Sequence, residues 1–199
     1  MKEINRTHLL REDLIRMLAY HNNNLSESNL RFTILKFFLI SQSFRSIYFY
    51  RLANTGVFKK IQWLNTLLLV ASRIFKCVDI PFTAKIGEGF FMGHPKGIIL
   101  HPKCIIGKNA TILQGVTIGG NIGKMKDGRT FPIIGDNVLI GAGAKILGPV
   151  IIGDNSMIGA NAVVIKDIPN NSVAVGVPAK VIKKVKKPFI EIERSNKTN

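Results

Sequence analysis

The sequence predicts a mainly β protein, a parallel β-helix of six-residue repeats with a helical N-terminal region. Aliphatic residues recur at every sixth position: Ile134, Ile140, Ile146, Ile152, Ile158 and Val164. Glycine follows at Gly135, Gly141, Gly153 and Gly159. Residues 1–75 carry their apolar residues at helical spacing instead. A period of six fits neither a helix, at about 3.6, nor an alternating strand, at about 2. It fits a solenoid in which each hexad is one short strand and a turn, and three hexads close one coil. The aliphatic side chain then points inward and stacks on its equivalents above and below. One coil cannot bury its own face, so the stack is stable only as a stack.

The elements follow in order. LLREDLIRMLAY (9–20) places Leu10, Leu14, Met17 and Leu18 on one helical face. SESNLRFTILKFFLISQSFRSIYFYRLA (26–53) reads as a second helix with Ser26 as its N-cap, and NTG (54–56) as a turn. IQWLNTLLLVASRIF (61–75) reads as a third helix. The repeat begins with Ile86, Met92 and Ile98, and continues at Ile106, Ile112 and Ile118. Two gaps interrupt it: eight residues from Ile98 to Ile106, and sixteen from Ile118 to Ile134. The second gap holds GNIGKMKDGRTFPI (120–133), polar, basic and without repeat. It predicts a loop projecting from one corner of the coil. These readings divide the chain into a helical region (1–75), a β-helix domain (76–182) and a basic tail (183–199).

Composition narrows the function classes. Lys and Arg number 28 against 12 Asp and Glu, a formal net charge of +16, which attracts anions of any kind. No RNP, KH, helix-turn-helix or zinc-finger pattern accompanies that charge, and nucleic acid is not an expected partner. Cys77 and Cys104 form no CxxC pair and read as small buried hydrophobes in a reducing compartment. The first residues are charged throughout and no apolar run reaches about 18 residues, so the cytoplasm is the expected location. Of four histidines only His94 and His101 fall in the repeats, too few for a three-histidine zinc site, and no metal is expected.

The chain resembles the left-handed β-helix acyltransferases. VDIPFTAKIGEGFFMGHPKGIIL (78–100), ILQGVTIGG (112–120), IGAGAKILGPVIIGDNSMIGANAVV (140–164) and VAVGVPAKVI (173–182) are similar to serine acetyltransferases over about half the chain. The resemblance implies a left-handed coil, acetyl-CoA as co-substrate, a hydroxyl acceptor and a homotrimer. Three departures accompany it. Gly93 stands where serine acetyltransferases have an acidic residue, before the catalytic histidine. Phe131 stands where their loop histidine helps to hold the amino acid. The helical region is about half as long as theirs. In these respects the chain resembles O-acetyltransferases of capsule, exopolysaccharide and lipopolysaccharide gene clusters. A sugar hydroxyl of a bacterial surface polysaccharide or its precursor is therefore the expected acceptor, with L-serine as the alternative.

Transfer to a hydroxyl needs a base, and a positioned histidine serves. His94 sits within MGHPKG, where Gly93 and Pro95 let a side chain leave the coil. Asp79, fifteen residues earlier and close to one coil back, is the expected carboxylate partner that fixes its tautomer. The resemblance carries acetyl-CoA contact to Gly120, Asn121, Ala142 and Ala160, largely through backbone groups, and to Lys180 through the phosphates. Arg129, Phe131 and Lys124 are the expected acceptor contacts: a ring face for a sugar and cations for an acidic glycan. The apolar, basic stretch 31–75 is expected to hold the enzyme peripherally at the inner membrane.

Overall fold

The computed structural model describes residues 6–20, 30–54, 63 and 78–189. The expected helix at 61–75, the Ser26 cap, His21 and Cys77 lie outside the described residues, Trp63 excepted. Three helices, α1 (Arg6–Tyr20), α2 (Leu30–Ile40) and α3 (Gln42–Ala53), precede fifteen short strands. The single helix expected over 26–53 is two. Ser41 between them is extended, and its hydroxyl accepts the Phe44 N–H at 3.2 Å, starting α3 afresh.

The strands wind into a parallel β-solenoid of about five coils with three faces. Face A stacks β1 (Val78–Asp79), β4 (Ile98–Leu100), β7 (Thr117–Gly119), β10 (Lys145–Leu147) and β13 (Val163–Val164). Face B stacks β2 (Lys85–Ile86), β5 (Ile105–Ile106), β8 (Ile133–Ile134) and β11 (Ile151–Ile152). Face C stacks β3 (Phe91–Gly93), β6 (Thr111–Leu113), β9 (Leu139–Ile140), β12 (Met157–Ile158) and β14 (Ser172–Val175). The last strand, β15 (Lys180–Lys184), turns back antiparallel on β14.

The register measures the coil. Thr117 pairs with Ile99 eighteen residues earlier (117 − 99), three hexads, whereas Lys145 pairs with Thr117 across twenty-eight (145 − 117). The difference, ten residues, is the length of the inserted loop. The eight-residue gap has the same origin: Lys85 pairs with Ile105 across twenty (105 − 85), two more than three hexads.

All twelve repeat aliphatics from Ile86 to Val164 are buried. Each such side chain contributes roughly 1.5–3 kcal/mol on burial. The residues two positions before the repeat aliphatics, Ala84, Cys104, Ala110, Val116, Val138, Ala144, Val150 and Ala162, are buried with them. Burial pushes the Cys104 thiol up to about 12. At the B–C edge the turns place Asn109, Asn137, Asn155 and Asn171 in the left-handed region, which asparagine tolerates better than most residues. Their side-chain amides bond in a ladder, each step 3.0 Å.

The helices cover the open first coil. Leu14, Met17, Leu18 and Phe44 pack on Phe91 of β3, while Ile47 and Tyr50 join the solenoid core. The four residues expected on one face of α1 are all buried. Asp13 and Arg51 form a buried ion pair beneath them. Asp13 accepts the Phe90 N–H at 2.9 Å, and Arg51 donates to the carbonyls of Ile86 and Gly87. Burial raises the Asp13 carboxyl above its ordinary range, against the opposing pull of Arg51. On α2, Phe32, Leu35, Leu39 and Ile40 stay exposed. Among the described residues no helix is long and apolar enough to cross a membrane.

Candidate active site

Two edges of the prism carry the candidate residues. The C–A edge begins at His94, on the corner from β3 to β4. Its side chain is exposed, and its φ of 50° lies in the left-handed region. Non-glycine residues are uncommon in that region, where histidine is tolerated better than most. The corner is closed by the Lys96 N–H bonding to the His94 carbonyl at 2.6 Å. Asp79 is half-buried in β1, in register with Ile99, on the strand to which the His94 corner leads. Asp79 thus lies on face A, one layer from the strand that follows the His94 corner.

Beyond His94 the C–A edge is made of small residues. Gly97, Gly115 and Gly143 occupy successive left-handed corners at φ of 66°, 70° and 72°, and Asn161 the next at 55°. The corner amides of Gly115, Gly143 and Asn161 bond to Lys96, Gln114 and Ala142 of the preceding coil, each at 2.8 Å. At Gly115 the left-handed backbone, not space, disfavours a side chain: a Cβ would meet the Gly143 Cα at an ordinary 3.4 Å. Ala142 and Ala160 stack one coil apart, about 4.8 Å. Above them the turn Gly176–Ala179 bonds to Val163, and Lys180 follows, exposed, in register with Val175. This edge is a row of small corner residues with an imidazole at one end and an ammonium at the other.

The A–B edge carries the rest: Gly120, Asn121, Lys124, Arg129 and Phe131. The inserted loop leaves after β7 and returns to β8. Asn121 N–H bonds to the Thr130 carbonyl at 2.8 Å and closes its neck. Lys126 and Arg129 pair as a two-residue hairpin, with Asp127 and Gly128 both at positive φ (51° and 70°), as a type I′ turn requires. The expected free projection is tethered. Lys126 makes an ion pair with Asp167, which also accepts the Ile151 N–H at 2.9 Å. Arg129 donates to the Phe131 carbonyl at 3.2 Å and lies 3.9 Å from Asp127. Lys124 is exposed, as are Ile122 and Met125 at the tip.

One member of this edge falls outside the expected set. His101, on the corner after β4, stacks on Phe131 with ring centroids 5.8 Å apart and planes within 14°. Its Nδ1 accepts the Lys103 N–H at 3.1 Å. Burial, with the nearby Lys103 charge, lowers its pKa below the ordinary 6.5. The contact joins residues thirty apart (131 − 101), and no repeat connects them.

Face A therefore separates the two groups: His94, Ala142, Ala160 and Lys180 at one end of its strands, Gly120, Asn121 and the loop at the other. Among the described residues no cluster of three or more His, Cys, Asp or Glu side chains is arranged to hold a metal.

Residues 131–166 match the bacterial transferase hexapeptide (six repeats) family, and residues 103–122 the hexapeptide repeat of succinyl-transferase. A serine acetyltransferase of Bacillus pumilus is 38% identical over 137 residues, 69% of this chain and 62% of the relative. One from Staphylococcus aureus is 48% identical over 112 residues, 56% of this chain and 52% of the relative. The chain thus spans less than two thirds of the length of these curated relatives. The structure of Neisseria gonorrhoeae serine acetyltransferase aligns with a TM-score of 0.77 at 30% identity, over 96% of this chain and 70% of that one. Serine acetyltransferase of Brucella abortus in complex with coenzyme A aligns with a TM-score of 0.75 at 33% identity, over 90% and 68%. With this fold, these repeats and this degree of identity, the chain belongs to the hexapeptide-repeat acetyltransferase family.

Proposed function

We propose that the protein is an acetyl-CoA-dependent O-acetyltransferase, with the hydroxyl of L-serine as acceptor and His94 as general base. The observation that carries this reading is the C–A edge, where His94 heads a row of small corner residues. The pantetheine arm suits such an edge, because its amides can pair with backbone groups between small corner residues, with the Lys145 ammonium, bonded to the Gly115 carbonyl at 2.7 Å, beside it. Ala142 and Ala160 would line it and Lys180 would meet the phosphates. In the reaction His94 takes the hydroxyl proton as the oxygen attacks the thioester carbonyl carbon. The carbon–sulfur bond then breaks, and the imidazolium returns the proton to the departing thiolate. Asp79 would orient His94 and stabilise the imidazolium.

The named relatives are serine acetyltransferases, and they favour L-serine over the surface-polysaccharide acceptor expected from the sequence. One observation still supports a sugar. The residue directly before His94 is Gly93, which offers no carboxylate to receive an ammonium. The two edges are at opposite ends of face A, so uniting their residues in one site requires a second copy. Side-by-side packing as a homotrimer does this. A cytoplasmic location goes with this reading. The inner-membrane contact expected for 31–75 receives no support from the relatives and is not part of it.

The test follows thiol release from acetyl-CoA with L-serine and, separately, with purified capsule or O-antigen repeat units. Serine should be turned over, and His94→Asn should lower kcat by roughly 10²–10⁴-fold while coenzyme A still binds. Turnover on a glycan alone would transfer the assignment to the sugar reading. An active His94→Asn variant would remove the base.

A further inference from the structure

His101 is held in three ways, none of which uses its Nε2. The Lys103 N–H occupies Nδ1, so the proton of the neutral ring sits on Nε2. Phe131 covers one ring face. Gly120 lies against the edge bearing Nε2: a Cβ there would stand 3.0 Å from Nε2 and 3.1 Å from the Thr130 carbonyl oxygen. Among the described residues no acceptor takes the Nε2 proton. A ring fixed in plane and tautomer, with a free donor, is prepared for a ligand acceptor atom.

The surroundings indicate its charge. The Arg129 guanidinium reaches back from the same loop to the Phe131 carbonyl, leaving donors over; Asp127 approaches only one of its nitrogens, at 3.9 Å. Lys103 adds positive charge beside the ring. A neutral N–H, a guanidinium with spare donors and a flat aromatic wall together suit a carboxylate on a small organic molecule.

We propose that His101 is a specificity-determining residue whose Nε2–H, with Arg129, receives the carboxylate of the acceptor amino acid. This rests on the serine reading. The acceptor carboxylate lies at the A–B edge, and its hydroxyl reaches the His94 corner of the neighbouring copy. Phe131 then serves as the support that keeps the His101 ring in place.

The experiment compares wild type with His101→Phe, which keeps a ring to stack on Phe131 and removes the donor. KM and kcat are measured for L-serine and for L-serinamide, which lacks the carboxylate. The variant should raise KM for serine about ten- to hundredfold, as expected for a lost hydrogen bond to a charged group. The KM for acetyl-CoA, kcat and the melting temperature should stay close to wild type. The wild-type preference for serine over serinamide should largely disappear. His101→Gln, which restores an N–H, should recover part of it. If wild type turns over serine and His101→Phe keeps the serine KM and the preference, the role given to His101 is wrong and the serine reading stands. If wild type does not turn over serine, the serine reading fails and this inference fails with it.

Discussion

Asp167 shows how one side chain sets the position of a loop. Burial alone would raise its carboxyl, but the Lys126 ammonium, the Ile151 N–H and the Arg129 charge outweigh this and hold it below the ordinary 3.8. A carboxyl depressed in the folded state stabilises it above the ordinary value, and that contribution is lost as pH falls through the depressed one. Both partners are nearly half exposed, so the pair contributes no more than about 1 kcal/mol. Asp167→Asn should leave the melting temperature almost unchanged but speed amide exchange at Asn121 and Arg129. In wild type the same speeding should appear only as the pH falls below the ordinary 3.8 and through the depressed value, and in the variant that dependence should vanish. Exchange unchanged by the substitution would mean that the loop is held by its hairpin alone. The residues differ in how far sequence could place them. His94, Ala142 and Ala160 could be assigned to corners because the six-residue period makes position a matter of counting. His101 and Phe131 could not, since they meet only where a ten-residue insertion folds back. The Asp127–Gly128 turn was the one local sign of that folding.

Among the elements, the helices do more than pack. Asp13 of α1 and Arg51 of α3 bond the N–H of Phe90 and the carbonyls of Ile86 and Gly87, polar groups of a coil with no coil beneath it. Removing one partner of a buried pair leaves the other charge uncompensated. Asp13→Asn should therefore cost about 3–5 kcal/mol, read from urea denaturation, and an Asp13→Leu, Arg51→Met double variant less than the sum of the singles. A loss below about 1 kcal/mol would show that solvent reaches Arg51. The amphipathic pattern of α1 was legible at Leu10, Leu14, Met17 and Leu18, all of which are buried. The break at Ser41 was harder to see, because Phe37 and Phe44, seven apart on its two sides, keep the apolar spacing of a single helix. Only the backbone shows Ser41 extended, with its hydroxyl capping α3.

For the whole molecule, the separation of the two edges predicts complementation. A His94→Ala copy lacks a working C–A edge and an Arg129→Ala, Phe131→Ala copy a working A–B edge, so neither homo-oligomer should turn over acceptor at more than a small fraction of wild type. Refolded together in equal amounts, they should recover roughly one site in four, the fraction expected for random mixing around a ring. No recovery in mixed oligomers of verified composition would place each site within one chain. The ends of the solenoid carry a different consequence. A parallel coil finishes on a row of unpaired N–H and C=O groups, the template on which cross-β fibres grow. At one end the helices occupy that template. At the other, on face C, the chain reverses into β15, whose Lys180, Lys183 and Lys184 are exposed. An incoming copy would meet a strand of the wrong polarity and a line of like charge. The reversal acts as a chain terminator: it makes the protein a finite segment of a structure that could otherwise polymerise without limit.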